Sequence, residues 1–163
     1  MRLSTHYIFS AGLISLALML TKELSFTEVL AISFFVSFIG NKIIDGLGHE
    51  IANYNGKTYP RRTPLTHTVP RSVAWGLITV LPIIATLYYF NMIPLFLPVL
   101  IAGLIVGPSH MFLDIFTEAG IYAKKNGKWK RVAFAHFSYD NAFVNGLASI
   151  AGFLMLFLAF KMS

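Results

Sequence analysis

The chain has no cysteine, which excludes disulfide bonds, thiolate nucleophiles and cysteine-ligated zinc together. Any metal site must then be built from imidazole and carboxylate. Charge is scarce as well: 12% of the 163 residues are Asp, Glu, Lys or Arg, against ~25% in an ordinary soluble domain. Between Ser72 and Leu113 there is none at all. Repeats of solenoid length, low-complexity tracts and linkers are also missing, which leaves one domain over residues 1–163. What is present is apolar: 56% hydrophobic residues and a mean hydropathy of +0.67. The class these values imply is an all-α polytopic membrane protein, a bundle of about five transmembrane helices. The net charge of +6 would suit a nucleic-acid binder. In so apolar a chain it is accounted for by juxtamembrane lysine and arginine facing anionic headgroups, so membrane lipids are the expected partners and nucleic acid is not.

Five apolar stretches satisfy the length of ~20 residues that a bilayer demands of a helix. They cover residues 3–21, 28–48, 72–90, 94–116 and 141–160. Arg2 before the first stretch could open a signal peptide, but no small-x-small cleavage site closes the run, so a retained helix is expected. The long uncharged segment divides at Asn91-Met92-Ile93-Pro94, a turn signal between antiparallel helices. Residues 50–71 hold three prolines, Gly56, Asn53 and Asn55, and read as a basic loop; a second basic loop is expected from about Glu118 to Asp140. Gly103 and Gly107, and less well Gly146 with Ser149, fit a small-residue packing face.

Five crossings gather Arg2, Lys57, Arg61, Arg62, Arg71, Lys124, Lys125, Lys128, Lys130 and Arg131 on one side. Lys22 and Lys161 fall on the other. The positive-inside rule makes the first side cytoplasmic, with the N-terminus inside and the C-terminus outside a cell membrane. All five histidines, His6, His49, His67, His110 and His136, fall on that side, as do Asp45, Asp114 and Asp140. Asp45 with His49, His110 with Asp114, and His136 with Asp140 are each four residues apart, which stacks both groups on one face of a helix.

Ionisable groups inside apolar sequence are costly unless they face the bundle interior and find a partner. A divalent cation is such a partner. Imidazole and carboxylate suit zinc, with manganese or iron as the carboxylate share grows. The ion would lower the pKa of its water from 15.7 to about 7 and so support hydrolysis. Each candidate also has an ordinary reading. Asp45 and His49 can cap a helix or pair with Lys42; His67 can be a solvated loop residue; His6 can sit at headgroup level; Asp140 can cap the last helix. Arg61, Arg62 and Arg71 either set topology or clamp a phosphate group bidentately.

Several motifs occur in the order seen in the YdjM-like family, which the chain resembles over about residues 5 to 120. They are Thr5-His6, Asp45 with His49, Arg62-Thr63-Pro64-Leu65-Thr66-His67-Thr68, and Gly107-Pro108-Ser109-His110 followed by Asp114, Thr117 and Gly120. These are bacterial and archaeal inner-membrane proteins described as metal-dependent hydrolases, and the stretch His136-Phe137-Ser138-Tyr139-Asp140-Asn141 looks like an archaeal offshoot. The resemblance implies His6, Asp45, His67, His110 and Asp114 as metal ligands. A more distant likeness to zinc-dependent phospholipase C rests on Gly107, His110 and Asp114; that family's next Pro-x-His and later His-x-x-x-Glu are missing, which points to one or two ions rather than three. The expectation is a membrane-bound hydrolase acting on a phosphoester of a lipid or other anionic substrate. His49 or Asp140 would assist catalysis, and Arg61, Arg62 and Arg71 would bind substrate. A noncatalytic use of the same residues, for structural metal, partner binding or ion passage, is the alternative.

Overall fold

A computed structural model of the chain describes residues 1–54 and 56–163, and of Tyr54, Lys57 and Tyr59 it describes the backbone. Five helices form: α1 (Leu3–Met19), α2 (Phe26–Gly48), α3 (Val69–Tyr89), α4 (Phe96–Asp114) and α5 (Ala142–Lys161). Four α-helical stretches, Phe26–Gly48, Val69–Tyr89, Ile93–Asp114 and Ala142–Lys161, are long and apolar enough to cross a membrane. The fifth, α1, has 17 residues, about 25 Å of helix at 1.5 Å per residue.

Local chemistry sets the boundaries. Ser25 and Glu28 form a reciprocal capping box, so α2 starts at Phe26 rather than at Glu28. Thr68 accepts a hydrogen bond from the Arg71 amide, and Pro70 lies within the first turn where its missing N–H costs nothing, so α3 starts at Val69 rather than Ser72. Between α3 and α4 the chain turns at Asn91, with φ of 57°, and passes through a single 3₁₀ turn at Ile93–Leu95.

The two basic segments are not loops, and the all-α expectation is corrected accordingly. Each contains an antiparallel hairpin: β1 (His49–Tyr54) with β2 (Lys57–Arg62), and β3 (Ile121–Lys125) with β4 (Lys128–Val132). The second turns at Asn126-Gly127, a pairing that tolerates positive φ at both central positions of a hairpin turn, and the sequence has the same dipeptide at 55–56. Asn126 and Gly127 have φ of 52° and 75°, and Gly56 has φ of 75°. Asn55, read above as part of the loop, lies outside the described residues, as does the side chain of Lys57. The prolines did not prevent a strand because Pro60 sits in a two-stranded ribbon, where one edge needs no amide donor.

The helices alternate in direction, with α1 packed against α2, α4 and α5, and α3 against α2 and α4. Ile14, Leu18, Val29, Val36, Val80, Val99, Ala102 and Val106 form the central core. Gly103 meets Gly76 and Val80 of α3, as the small-residue pattern predicts, whereas Gly146 has open space around it and the close approach of α1 to α5 is at Gly12 and Gly152. Phe143, Leu147, Ile150, Leu154 and Phe157 of α5 are exposed. So large an apolar surface marks a lipid or protein contact. Alternation brings the starts of α1, α3 and α5 and the ends of α2 and α4 to one end of the bundle, beneath both hairpins.

Candidate metal centre

At that end, four ligand atoms converge: Asp45 Oδ1, His67 Nε2, His110 Nε2 and Asp114 Oδ2, all buried and without a hydrogen-bond partner among the described residues. Around the group nitrogen and oxygen alternate. His67 Nε2 is 3.6 Å from Asp45 Oδ1 and 3.5 Å from Asp114 Oδ2; His110 Nε2 is 3.4 Å and 3.2 Å from the same two atoms. All lie within 4.8 Å of one another. Ligands about 2.0–2.1 Å from a zinc ion at tetrahedral angles stand about 3.3–3.4 Å apart, and the four nitrogen–oxygen separations are close to that value.

The lone pairs point inward because the other ring nitrogens are occupied. Asn41 donates through Nδ2 to Ser37 O, which turns its Oδ1 to accept from His110 Nδ1 at 2.8 Å. Thr66 spends its hydroxyl proton on Ile44 O, so its oxygen accepts from His67 Nδ1 at 3.0 Å. Each imidazole therefore presents an unprotonated Nε2 to a carboxylate oxygen. Acceptor then faces acceptor across the whole group, which is the arrangement second-shell bonds impose on metal-ligating histidines. Burial holds His67, outside the apolar spans, down to a pKa of about 4, with Asp45 opposing the shift, so the ring is neutral at pH 7.

Asp114 divides its carboxylate. Oδ2 faces the two histidines, while Oδ1 accepts from Arg62 Nη2 at 2.7 Å and lies 2.8 Å from the Met1 nitrogen and 3.2 Å from His6 Nε2. Arg62, 8% exposed, also donates to Thr117 Oγ1 and Gly120 O, both at 3.0 Å. His6 is buried and stacks on His110 with ring centres 3.8 Å apart. It therefore stands beside the four-atom group rather than in it, and the Arg62 guanidinium on Oδ1 disfavours a second ion there.

Close backbone approach makes the site possible. A side chain at Gly48 would collide with Thr66 and His67, and one at Gly107 with the Ser72 backbone. These two glycines let the residue 63–68 segment and α3 sit against α2 and α4. The second hairpin clasps the same segment: Tyr122 N donates to His67 O at 2.7 Å and Tyr122 OH to Arg62 O at 3.0 Å.

The chain belongs to the family described as "Protein of unknown function (DUF1286)". Its sequence profile matches residues 1–113. In this family member the matched span takes in His6, Asp45, His67 and His110 and stops one residue before Asp114. Comparison with curated proteins and with solved structures gives no match.

The remaining expected residues are placed as follows. His49 lies beside the group, its Nδ1 donating to Asp45 O at 2.8 Å and its ring edge-on to His67. Asp140 is exposed and stands apart from the group. Its carboxylate accepts from Ser138 Oγ, which holds its pKa below the usual range. It is not positioned as a catalytic acid or base, because residues 136–140 are not helical and the four-residue spacing with His136 brings nothing together. Arg62 is committed to Asp114; Arg71 donates to Pro64 O, lies over Trp129 at 4.8 Å and does not line the cavity beside the centre. Arg61 is exposed, 3.7 Å from Glu50. It lines a cavity of about 1090 Å³ that reaches Asp45 and His49. Sequence reasoning passed over Asn41 and Thr66. Asn41 did carry a signal, an amide inside an apolar helix one turn before Asp45.

Proposed function

We propose that this protein is a membrane-bound, metal-dependent hydrolase of phosphoesters, with zinc the favoured ion and manganese or iron the alternatives. The observation that carries the reading is the set of four inward-facing ligand atoms, unpartnered among the described residues and within 4.8 Å of one another. A divalent ion bound there would supply Lewis acidity and, with water as a further ligand, a hydroxide source of pKa about 7. Asp45, His67, His110 and Asp114 would hold it, and Arg62 and Asn41 would hold the ligands.

His49 is the residue for proton transfer. With Nδ1 donating to the Asp45 carbonyl, its Nε2 is the basic atom, and the ring is 30% exposed beside the cavity. It would take one proton from the attacking water as the oxygen–phosphorus bond forms. The same proton would return to the alcohol oxygen as the ester bond breaks. The site lies at one end of apolar helices beneath basic hairpins, so a lipid phosphate at the headgroup level of the cytoplasmic face is the natural substrate. The resemblance to the YdjM-like family points the same way.

The test is release of phosphate from lipid phosphomonoesters by purified protein of known metal content. Stoichiometric metal with release that is lost in Asp114→Asn supports the reading, and absence of metal from protein never exposed to chelator contradicts it. A second reading, ion or proton passage, is favoured by buried Ser10, Ser15, Ser33, Ser37 and Ser109 within the bundle. Ion flux into protein-containing vesicles without any phosphate release would select it.

A further inference from the structure

The cavity outside the four-atom group is lined by more guanidinium than one phosphate needs. Arg2 at the head of α1, Arg61 on β2 and Arg131 on β4 come from separate parts of the chain and border the same space, with Asp45 and His49 at its inner end and Glu118 in its wall. Arg2 and Arg131 form no ion pair with a carboxylate among the described residues, Arg2 donating to the Asp140 carbonyl at 3.3 Å, and Arg61 forms an exposed ion pair with Glu50 at 3.7 Å. The inner centre has its own charge account. A divalent ion together with Arg62 carries one positive charge more than Asp45 and Asp114, which suits the phosphate that would react there. The three outer arginines, opposed by Glu118 in the wall and by Glu50 on Arg61, still leave a net positive charge outside the inner centre. Guanidinium forks match phosphate oxygens in pairs, and a cavity of about 1090 Å³ slightly exceeds the range of about 300–1,000 Å³ for small-ligand pockets.

We infer that Arg2, Arg61 and Arg131 form a subsite for a second phosphoryl group next to the metal centre, so that the substrate class is a diphosphate rather than a monophosphate. The inference rests on the proposed metal-dependent reading of the inner site. A lipid diphosphate and a water-soluble one share this chemistry.

The test uses the full-length protein in detergent, loaded with metal and freed of excess. Unfolding midpoints are titrated with methylphosphonate, methylenediphosphonate and dodecyl methylenediphosphonate, which cannot be hydrolysed at the bridge. Metal content is measured again after each titration. The subsite predicts at least tenfold tighter binding of methylenediphosphonate than methylphosphonate. It also predicts loss of that preference in the combined Arg2→Gln, Arg61→Gln, Arg131→Gln variant, provided this variant keeps its metal and its ligand-free midpoint. Tighter binding of the dodecyl compound assigns the lipid source, and equal binding of the two diphosphonates assigns the soluble one. Equal affinity for mono- and diphosphonate with metal in place overturns the subsite and leaves the metal centre standing, as does a preference that survives in the triple variant. Protein that takes up no metal overturns both.

Discussion

Arg62 and Asp114 form a buried ion pair, with Nη2 2.7 Å from Oδ1, that leaves the other carboxylate oxygen facing His67 and His110. The pair joins the end of the first hairpin to the end of α4. Arg62 also ties both to Thr117 and Gly120, so one guanidinium fixes the orientation of a candidate ligand and the seating of a hairpin. Removing one partner of a buried pair strands the other charge and costs about 3–5 kcal/mol. Arg62→Ala is accordingly expected to lower the thermal unfolding midpoint in detergent sharply. Arg62→Lys, which lacks the fork, should recover part of the loss. An unchanged midpoint in Arg62→Ala would remove Arg62 from this role.

Asn41 orients His110 without facing the centre itself. Loss of such an outer partner lowers metal affinity about 10–100-fold. Asn41→Ala should show this in a chelator-competition titration, whereas His136→Ala, at an exposed position outside the site, should match the unaltered protein. Equal affinities for all three proteins would mean that Asn41 has no such effect.

The convergence of histidine and aspartate at one end of the bundle was legible in the sequence, because alternation of apolar spans fixes which helix ends meet. His110 and Asp114 were legible as a pair because both lie on one α-helix, where four-residue spacing is a geometric statement. His136 and Asp140 have the same spacing but no helix beneath them, so the rule does not apply. The hairpins were hidden by three prolines and by basic charge, although Asn-Gly at 55–56 and 126–127 announced them. Which arginine does what was not legible at all. Arg61 and Arg62 are neighbours in sequence and both border the cavity, but strand alternation leaves Arg61 exposed and buries Arg62 against Asp114.

Arg71 and Asp140 are therefore expected to be dispensable at the site. Asp140→Asn should leave both metal content and phosphate release within about twofold of the unaltered protein, since its carboxylate bonds Ser138 in solvent. For Arg71→Ala, the lost contacts are with Pro64 O and Trp129, a site on the surface. The expected effect is a change in stability of about 1 kcal/mol or less with metal content retained. A tenfold fall in phosphate release in Asp140→Asn would return that residue to the mechanism.

Orientation is accessible because the chain has no native cysteine. In Met92→Cys and Lys125→Cys, a membrane-impermeant maleimide applied to intact cells should label the turn between α3 and α4 and spare the second hairpin. The positive-inside distribution predicts this result. Labelling of position 125 from outside would invert the assignment and place the centre at the outer face.

The account's central claim is that the four facing acceptors are held together by a cation. X-ray absorption on purified protein, combined with elemental analysis, tests it directly. The prediction is one divalent ion per chain, with two imidazole nitrogens and two carboxylate oxygens from the protein and one water oxygen at about 2.0–2.2 Å, and loss of the ion in His110→Ala and Asp114→Asn. A fully folded protein with no bound ion, or one whose ion is unaffected by both substitutions, would contradict it.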